Sequence, residues 1–217
     1  MKVPLSVYIG YDSRQPIAHA VAAESVAVHA TRPVPITSLR LNQLPITRRG
    51  LTEFTYSRYL VPYLSGFTGY SLYLDSDTLC RADVLDLLPY PIAYPETAVF
   101  VVPHKLSFER PSVMLFNNAK CRMLTPDYVQ DSRNGLANLS WTPDIGSIPP
   151  AWNHLVGYDL PNPAAKIVHF TKGIPVWPET KDSEFSAEWW AVANRLGSSV
   201  SFQELMGKSV HVQKVIQ

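Results

Sequence analysis

The 217 residues carry 19 Lys and Arg against 18 Asp and Glu, a formal net charge of +1. No block of like charge accompanies that balance, which excludes an electrostatic footprint for nucleic acid or an anionic membrane. Hydrophobic residues make up 46%, enough for a core without staples, and the two cysteines, Cys80 and Cys121, match neither a disulfide framework nor a zinc spacing.

In chain order, Leu5–Ile9 reads as a first strand ended by Gly10. Met1–Leu5 runs straight into it with no signal-peptide stretch or membrane anchor, so with two cysteines a cytoplasmic location is expected. Pro16 suits the first turn of a helix reaching about His29. Val34–Leu39 reads as a second strand and 40–52 as a loop. Phe54–Leu64 is expected to be a helix, with Tyr56, Tyr59, Leu60 and Tyr63 at helical spacing, broken by Gly66 and Gly69. Ser71–Leu74 is a short apolar run ending in Asp75, the pattern of a buried strand that delivers a polar residue at its edge.

Asp83–Leu88 reads as a short helix, and Ala98–Val102 and Ser112–Phe116 as buried strands. Met123–Val129 holds a short helix that Pro126 limits. Residues 140–163 read as irregular structure around a strand at Ile145–Ile148, followed by a last strand at Ala165–Phe170. Asp182 is placed to cap a final helix with Phe185, Trp189, Val192 and Leu196 as its apolar stripe and Gly197 as its stop. The order of elements predicts an open α/β sheet, mixed and mostly parallel, flanked by helices. One domain is expected over 1–217: a nucleotide-binding half at 1–80, an acceptor and metal half at 81–180, and a helical tail at 181–217.

Asp75-Ser76-Asp77 is the sharpest feature. Carboxylates one residue apart face opposite sides of an extended chain, so a turn is needed to aim both at one point. A hard dication gives a reason for such a turn: Mg²⁺ or Mn²⁺ takes one or two carboxylates plus substrate phosphate oxygens. The alternatives are a plain turn, since Asp and Ser favour turns, or the nucleophile motif of an Asp-dependent phosphatase. The phosphatase motif carries a Gly before its Thr, whereas Thr78 follows Asp77 directly. No GxxxxGK, GxGxxG, HExxH or GxSxG pattern is present.

Thr55-Tyr56-Ser57-Arg58-Tyr59-Leu60, followed by Leu72-Tyr73-Leu74-Asp75-Ser76-Asp77, resembles glycosyltransferase family 8. Gly10-Tyr11-Asp12 and a late strand bearing His169 fall in that family's order, so the resemblance spans roughly residues 5 to 177. It implies a GT-A fold, the Rossmann-like fold of nucleotide-diphospho-sugar transferases. It also implies a UDP-sugar donor, Mn²⁺ or Mg²⁺, and transfer of a hexose, with retention, to a glycan or other hydroxyl acceptor. Within it Asp75, Asp77 and His169 correspond to the metal ligands. Tyr11, Asp12, Arg58, Asp75 and Ser76 correspond to donor contacts. The family's late motif reads His-x-x-Gly-x-x-Lys-Pro-Trp; here it is His169-Phe170-Thr171-Lys172-Gly173-Ile174-Pro175-Val176-Trp177, so Lys172 is the candidate contact to the diphosphate. Asn117, at the end of its strand, and Asp144, ahead of a Trp152-Asn153 block, are the candidates beside the reacting sugar. A non-catalytic sugar-nucleotide-binding protein of the same fold is the remaining alternative.

Overall fold

The computed structural model describes residues 4–104 and 106–196 of the chain. The first unit is β1 (Leu5–Gly10), α1 (Pro16–His29) and β2 (Ile36–Leu39), with β2 parallel to β1. On the other side of β1 lies β3 (Tyr70–Leu74), also parallel. Next come β4 (Thr78–Cys80), β5 (Val99–Val101), β6 (Val113–Asn117) and β7 (Ile145–Ser147). Six of these strands form one mixed sheet in the order β2-β1-β3-β6-β5-β7, in which β6 runs antiparallel to both neighbours. Strand β4 leaves that sheet. It joins β8 (His154–Leu155) and β9 (Ile167–His169) in a small second sheet of order β4-β9-β8.

The inner strands β1, β3, β6 and β5 are buried on both faces, which is why they read as continuous apolar runs. Alternate residues separate by face. Val7, Ile9, Leu72, Leu74, Val113 and Leu115 pack with Ala22 and Val26 of α1. Tyr8, Tyr73, Met114 and Phe116 pack on the opposite face with Leu60, Val61 and Trp141. Helix α1 serves both sheets: Ile17, Ala18 and Val21 meet Leu79 and Val168 of the small sheet and Trp189 of the last helix.

The expected helix over Phe54–Leu64 is divided. Ser57–Leu60 is a 3-10 turn and α2 (Val61–Leu64) a single α turn. Pro62 explains the break, since it has no N–H to continue a helical ladder from the preceding turn. Helices α3 (Pro89–Ala93) and α4 (Pro126–Gln130) each open on a proline. Pro126 therefore starts its helix instead of limiting it, and Thr125 caps it by accepting the Tyr128 N–H. Asp83 caps the 3-10 turn Val84–Leu87 through the Leu85 N–H.

The last helix, α5 (Ser186–Leu196), begins four residues after Asp182, which lies in a turn and is no cap. Phe185 enters it with φ of 64°. Of the expected stripe, Trp189 and Val192 are buried and Leu196 is exposed. The expected stop at Gly197 lies outside the described residues.

Candidate functional site

Asp75 leaves β3 at the sheet edge where β6 begins. Its N–H donates to Ser112 O at 2.9 Å, extending the ladder by one residue. The chain then turns through Ser76 and Asp77 into β4. Thr78 Oγ1 donates to Asp75 O at 2.9 Å, and the Phe170 N–H donates to Asp77 O at 2.9 Å. Antiparallel pairing sets Thr78 opposite His169. One carboxylate thus comes from the large sheet, while the second carboxylate and the imidazole come from the small one. Ligand atoms of Asp75, Asp77 and His169 lie within 4.8 Å of one another. The turn demanded by two carboxylates one residue apart is made by the junction between the sheets.

The charges around this point do not balance within the protein. Asp75 Oδ1 accepts from Tyr73 Oη at 2.6 Å and pairs with Arg58 Nη2 at 3.1 Å. His169 Nε2 is 3.3 Å from Asp77 Oδ1, and its Nδ1 is 3.5 Å from Glu109 Oε2. Among the described residues three carboxylates therefore face one permanent cation, Arg58, and once His169 is neutral, as a metal ligand must be, the charge of one divalent cation is left uncompensated. Burial, then the neighbouring Asp77 charge, raises Asp75 to about 6 against the pull of Arg58. Burial works against a charged His169, but Asp77, Asp75 and Glu109 outweigh it and raise that pKa to about 9. The Arg58 pKa is raised in spite of its burial, chiefly by Asp75.

A divalent metal fits this cluster. Among the described residues Asp77 Oδ1 is a buried atom without a hydrogen-bond partner, a state that is rare for polar groups. Two carboxylates and an imidazole form a donor set suited to Mn²⁺ more than to Mg²⁺.

Beside the cluster opens a cavity of about 500 Å³. Asp12, Ser76, Asp77 and Lys172 line it, together with Phe54 and Trp177. Gly10 is required behind its wall, because a Cβ there would stand 2.5 Å from Phe54 Cγ. Asp12 is 4% exposed and already engaged: Arg14 Nε donates to Oδ1 at 2.8 Å and the Glu53 N–H to Oδ2 at 3.4 Å. Lys172 Nζ donates to Gly157 O at 2.7 Å and rests 4.4 Å above the Tyr158 ring. Gly157 permits this with φ of +77°, and a Cβ at that position would crowd the lysine stem at 3.1 Å.

The other residues singled out from sequence fall in different places. Arg58 is buried; it pairs with Asp75 and also donates to Pro111 O at 3.0 Å. Arg40 covers one face of the Tyr11 ring at 3.7 Å, and His19 meets that ring edge-on.

Asn117 and Asp144 lie away from the cluster. In the antiparallel pairing Asn117 lies opposite Tyr70, at the start of β3, while Asp75 follows its end. Five residues of strand rise separate the two positions by roughly 16 Å. The Asn117 amide donates to Pro95 O at 2.8 Å, a structural role. Asp144 precedes β7, its carbonyl accepts the Ala98 N–H, and it is exposed at the same far end of the sheet. Neither joins the cluster. Glu109, which sequence reasoning missed, does join it, from the 3-10 segment Ser107–Ser112. Its only local signal is a lone acidic residue near a proline.

No family model matches the chain. Protein CDI of Arabidopsis thaliana is 30% identical over 223 residues, covering 87% of this chain and 85% of that protein. Among solved structures, the bifunctional glycosyltransferase WbbM in its apo form superposes with a TM-score of 0.69 at 15% identity. That match covers 96% of this chain and 52% of WbbM, so the chain spans about half of WbbM's length. Galactosyltransferase LgtC, solved with donor and acceptor sugar analogs, gives a TM-score of 0.66 at 12% identity, covering 94% of this chain and 99% of LgtC. Glycosyltransferase GlyE of Streptococcus pneumoniae TIGR4 gives 0.65 at 16%, covering 94% and 62%. The fold is the GT-A fold. Among the described residues, no helix is long and apolar enough to cross a membrane.

Proposed function

The chain belongs to the family of the Arabidopsis thaliana Protein CDI, and we propose that it is a metal-dependent glycosyltransferase that moves a hexose from a UDP-sugar to a glycan or other hydroxyl acceptor. The observation that carries this reading is the convergence of Asp75, Asp77 and His169 at the seam of two sheets, beside a cavity, in a GT-A fold. Those three residues would hold Mn²⁺ or Mg²⁺. When bound, the cation neutralises charge on the departing diphosphate.

Each remaining residue of the site has a part in this reading. Arg58 keeps Asp75 ionised at a depth where burial favours its protonated form, so that Asp75 remains a ligand. Ser76 and Asp12 face the donor from the cavity wall. Lys172, which lines the same cavity while its Nζ rests on Gly157 O, would supply the cation for the diphosphate that the shifted late motif lacks at Pro175. Retention of configuration is carried by the family resemblance alone. The free, buried Cys80 and Cys121 agree with a reducing compartment.

The phosphatase alternative needs a carboxylate free to attack phosphorus. Asp75 is 6% exposed, and its Oδ1 is taken by Tyr73 and Arg58, which argues against it. The test is calorimetric binding of UDP with and without Mn²⁺. UDP should bind in the presence of Mn²⁺ and fail to bind Asp77→Ala, and slow UDP-sugar hydrolysis should follow the same pattern. Binding that ignores the metal, or survives Asp77→Ala unchanged, would overturn the proposal.

A further inference from the structure

We infer that Glu109 is the positioning residue of the metal site: it fixes the His169 ring so that Nε2 faces the cation, and it fastens the donor cavity wall to the same point through Thr171. This rests on the metal reading proposed above. Glu109 is 5% exposed, a depth at which carboxylates are rare unless paired. Its Oε1 accepts the Thr171 hydroxyl at 2.5 Å and its Oε2 the Ser112 hydroxyl at 3.1 Å. Facing it is His169 Nδ1, a buried nitrogen with no hydrogen-bond partner among the described residues, 3.5 Å from Oε2.

The two nitrogens of His169 are thereby divided. Nε2 points to Asp77 Oδ1, where the ligand atoms of the cluster gather, and Nδ1 points to Glu109. A carboxylate on the far nitrogen keeps the proton on Nδ1 and leaves the Nε2 lone pair for a metal. It also raises the ligand's basicity and locks the ring plane. Glu109 is itself held: Asn153 Nδ2 donates to its carbonyl at 3.1 Å, and the segment carrying it runs directly into β6 through Ser112, whose carbonyl accepts the Asp75 N–H. One residue therefore connects the imidazole ligand, the strand that anchors Asp75, and Thr171, which lines the cavity next to Lys172.

The inference separates two metals. Mn²⁺ gains from an imidazole, whereas Mg²⁺ relies on oxygen ligands, here Asp75 and Asp77. Glu109 acts through His169, so its loss should weaken Mn²⁺ and spare Mg²⁺. The experiment measures Mn²⁺ affinity by electron paramagnetic resonance, and Mg²⁺ affinity by calorimetry, on the full chain. The variants are Glu109→Gln, Glu109→Asp, His169→Ala, and the double variant His169→Ala with Glu109→Gln. Glu109→Gln should weaken Mn²⁺ by about 10- to 100-fold and change Mg²⁺ by less than about threefold, with Glu109→Asp recovering part of the loss. In the His169→Ala background, Glu109→Gln should have no further effect, because residues that act as one unit are not additive. Equal weakening of both metals, or additive losses in the double variant, would make Glu109 a purely structural residue and overturn the inference. Unchanged Mn²⁺ affinity in Glu109→Gln, with loss in Asp77→Ala, would overturn it while leaving the metal site standing. Absence of Mn²⁺ binding in the unsubstituted protein would remove both.

Discussion

Replacing Arg58 by Met removes the permanent cation paired with Asp75 and leaves that carboxylate buried beside Asp77. Removing one partner of a buried pair usually costs about 3–5 kcal/mol, but Asp75 can escape by taking up a proton. With Arg58 present its pKa is already about 6, so at about pH 7.5 the cost of protonating it is at most roughly 2 kcal/mol, at about 1.4 kcal/mol per pH unit. The Pro111 carbonyl, and the Phe54 carbonyl contacted at 3.4 Å, also lose their donor, which adds about 1–2 kcal/mol. The total is about 3–4 kcal/mol near pH 7.5, equivalent to a fall of roughly 10 °C in melting temperature for a chain of this size. Near pH 6 the protonation share vanishes and only the carbonyl share of about 1–2 kcal/mol remains. Urea unfolding of the metal-free protein and Arg58→Met at both pH values measures this directly. Adding Asp75→Asn should relieve the protonation share of the loss near pH 7.5, about half of it, and leave the carbonyl share. A penalty that is the same at both pH values, or one that Asp75→Asn does not relieve, would refute the pairing argument.

Three other outcomes are expected. The pKa of His169 rises on folding from 6.5 to about 9. Its proton therefore stabilises the metal-free fold fully below pH 6.5, and that share is lost as pH climbs through 9. Over the same window Mn²⁺ must displace the proton, so its affinity should rise by about tenfold per pH unit and level off above 9, as competitive titration would record; a flat profile would contradict it. Gly10→Ala places a Cβ 2.5 Å from Phe54 Cγ; it should cost about 1–3 kcal/mol by overpacking and weaken UDP binding through the displaced cavity wall, as thermal shift would show. Asp144→Ala, at the far end of the sheet, should leave donor turnover within about twofold, as befits an exposed substitution away from the site; a tenfold loss would refute the placement drawn from the strand register.

What the chain announced locally was the β1-α1-β2 unit and the delivery of Asp75 by β3. These rest on signals carried within one element: Pro16 at a helix start and an apolar run meeting an acidic pair. His169 at the end of β9 was legible only through resemblance, because its partner β4 is three residues long and too short to show a period. Asp144 lies away from the cluster because it precedes β7, and Asn117 because of strand direction. An apolar run does not reveal its direction, and β6 runs antiparallel to β3, so the residue that ends β6 lies where β3 begins. The burial of Arg58 was not legible between its flanking tyrosines, because it follows from a carboxylate seventeen positions later. Glu109 was invisible for a similar cause, since both of its meaningful neighbours, His169 and Thr171, lie some sixty residues away.

The junction where β4 departs from the large sheet has a mechanical meaning beyond ligand binding. Asp75 is anchored to one sheet and His169 to the other, so a cation there would act as a rivet across two plates whose facing carboxylates otherwise push each other apart. Stripped of metal, the protein should breathe first along this line. Amide exchange in β4 and β9 would then be quick while β1 and β3 stay protected, and loading the ion would close that gap. Donor occupancy and the stiffness of the whole molecule would then report on the same few bonds.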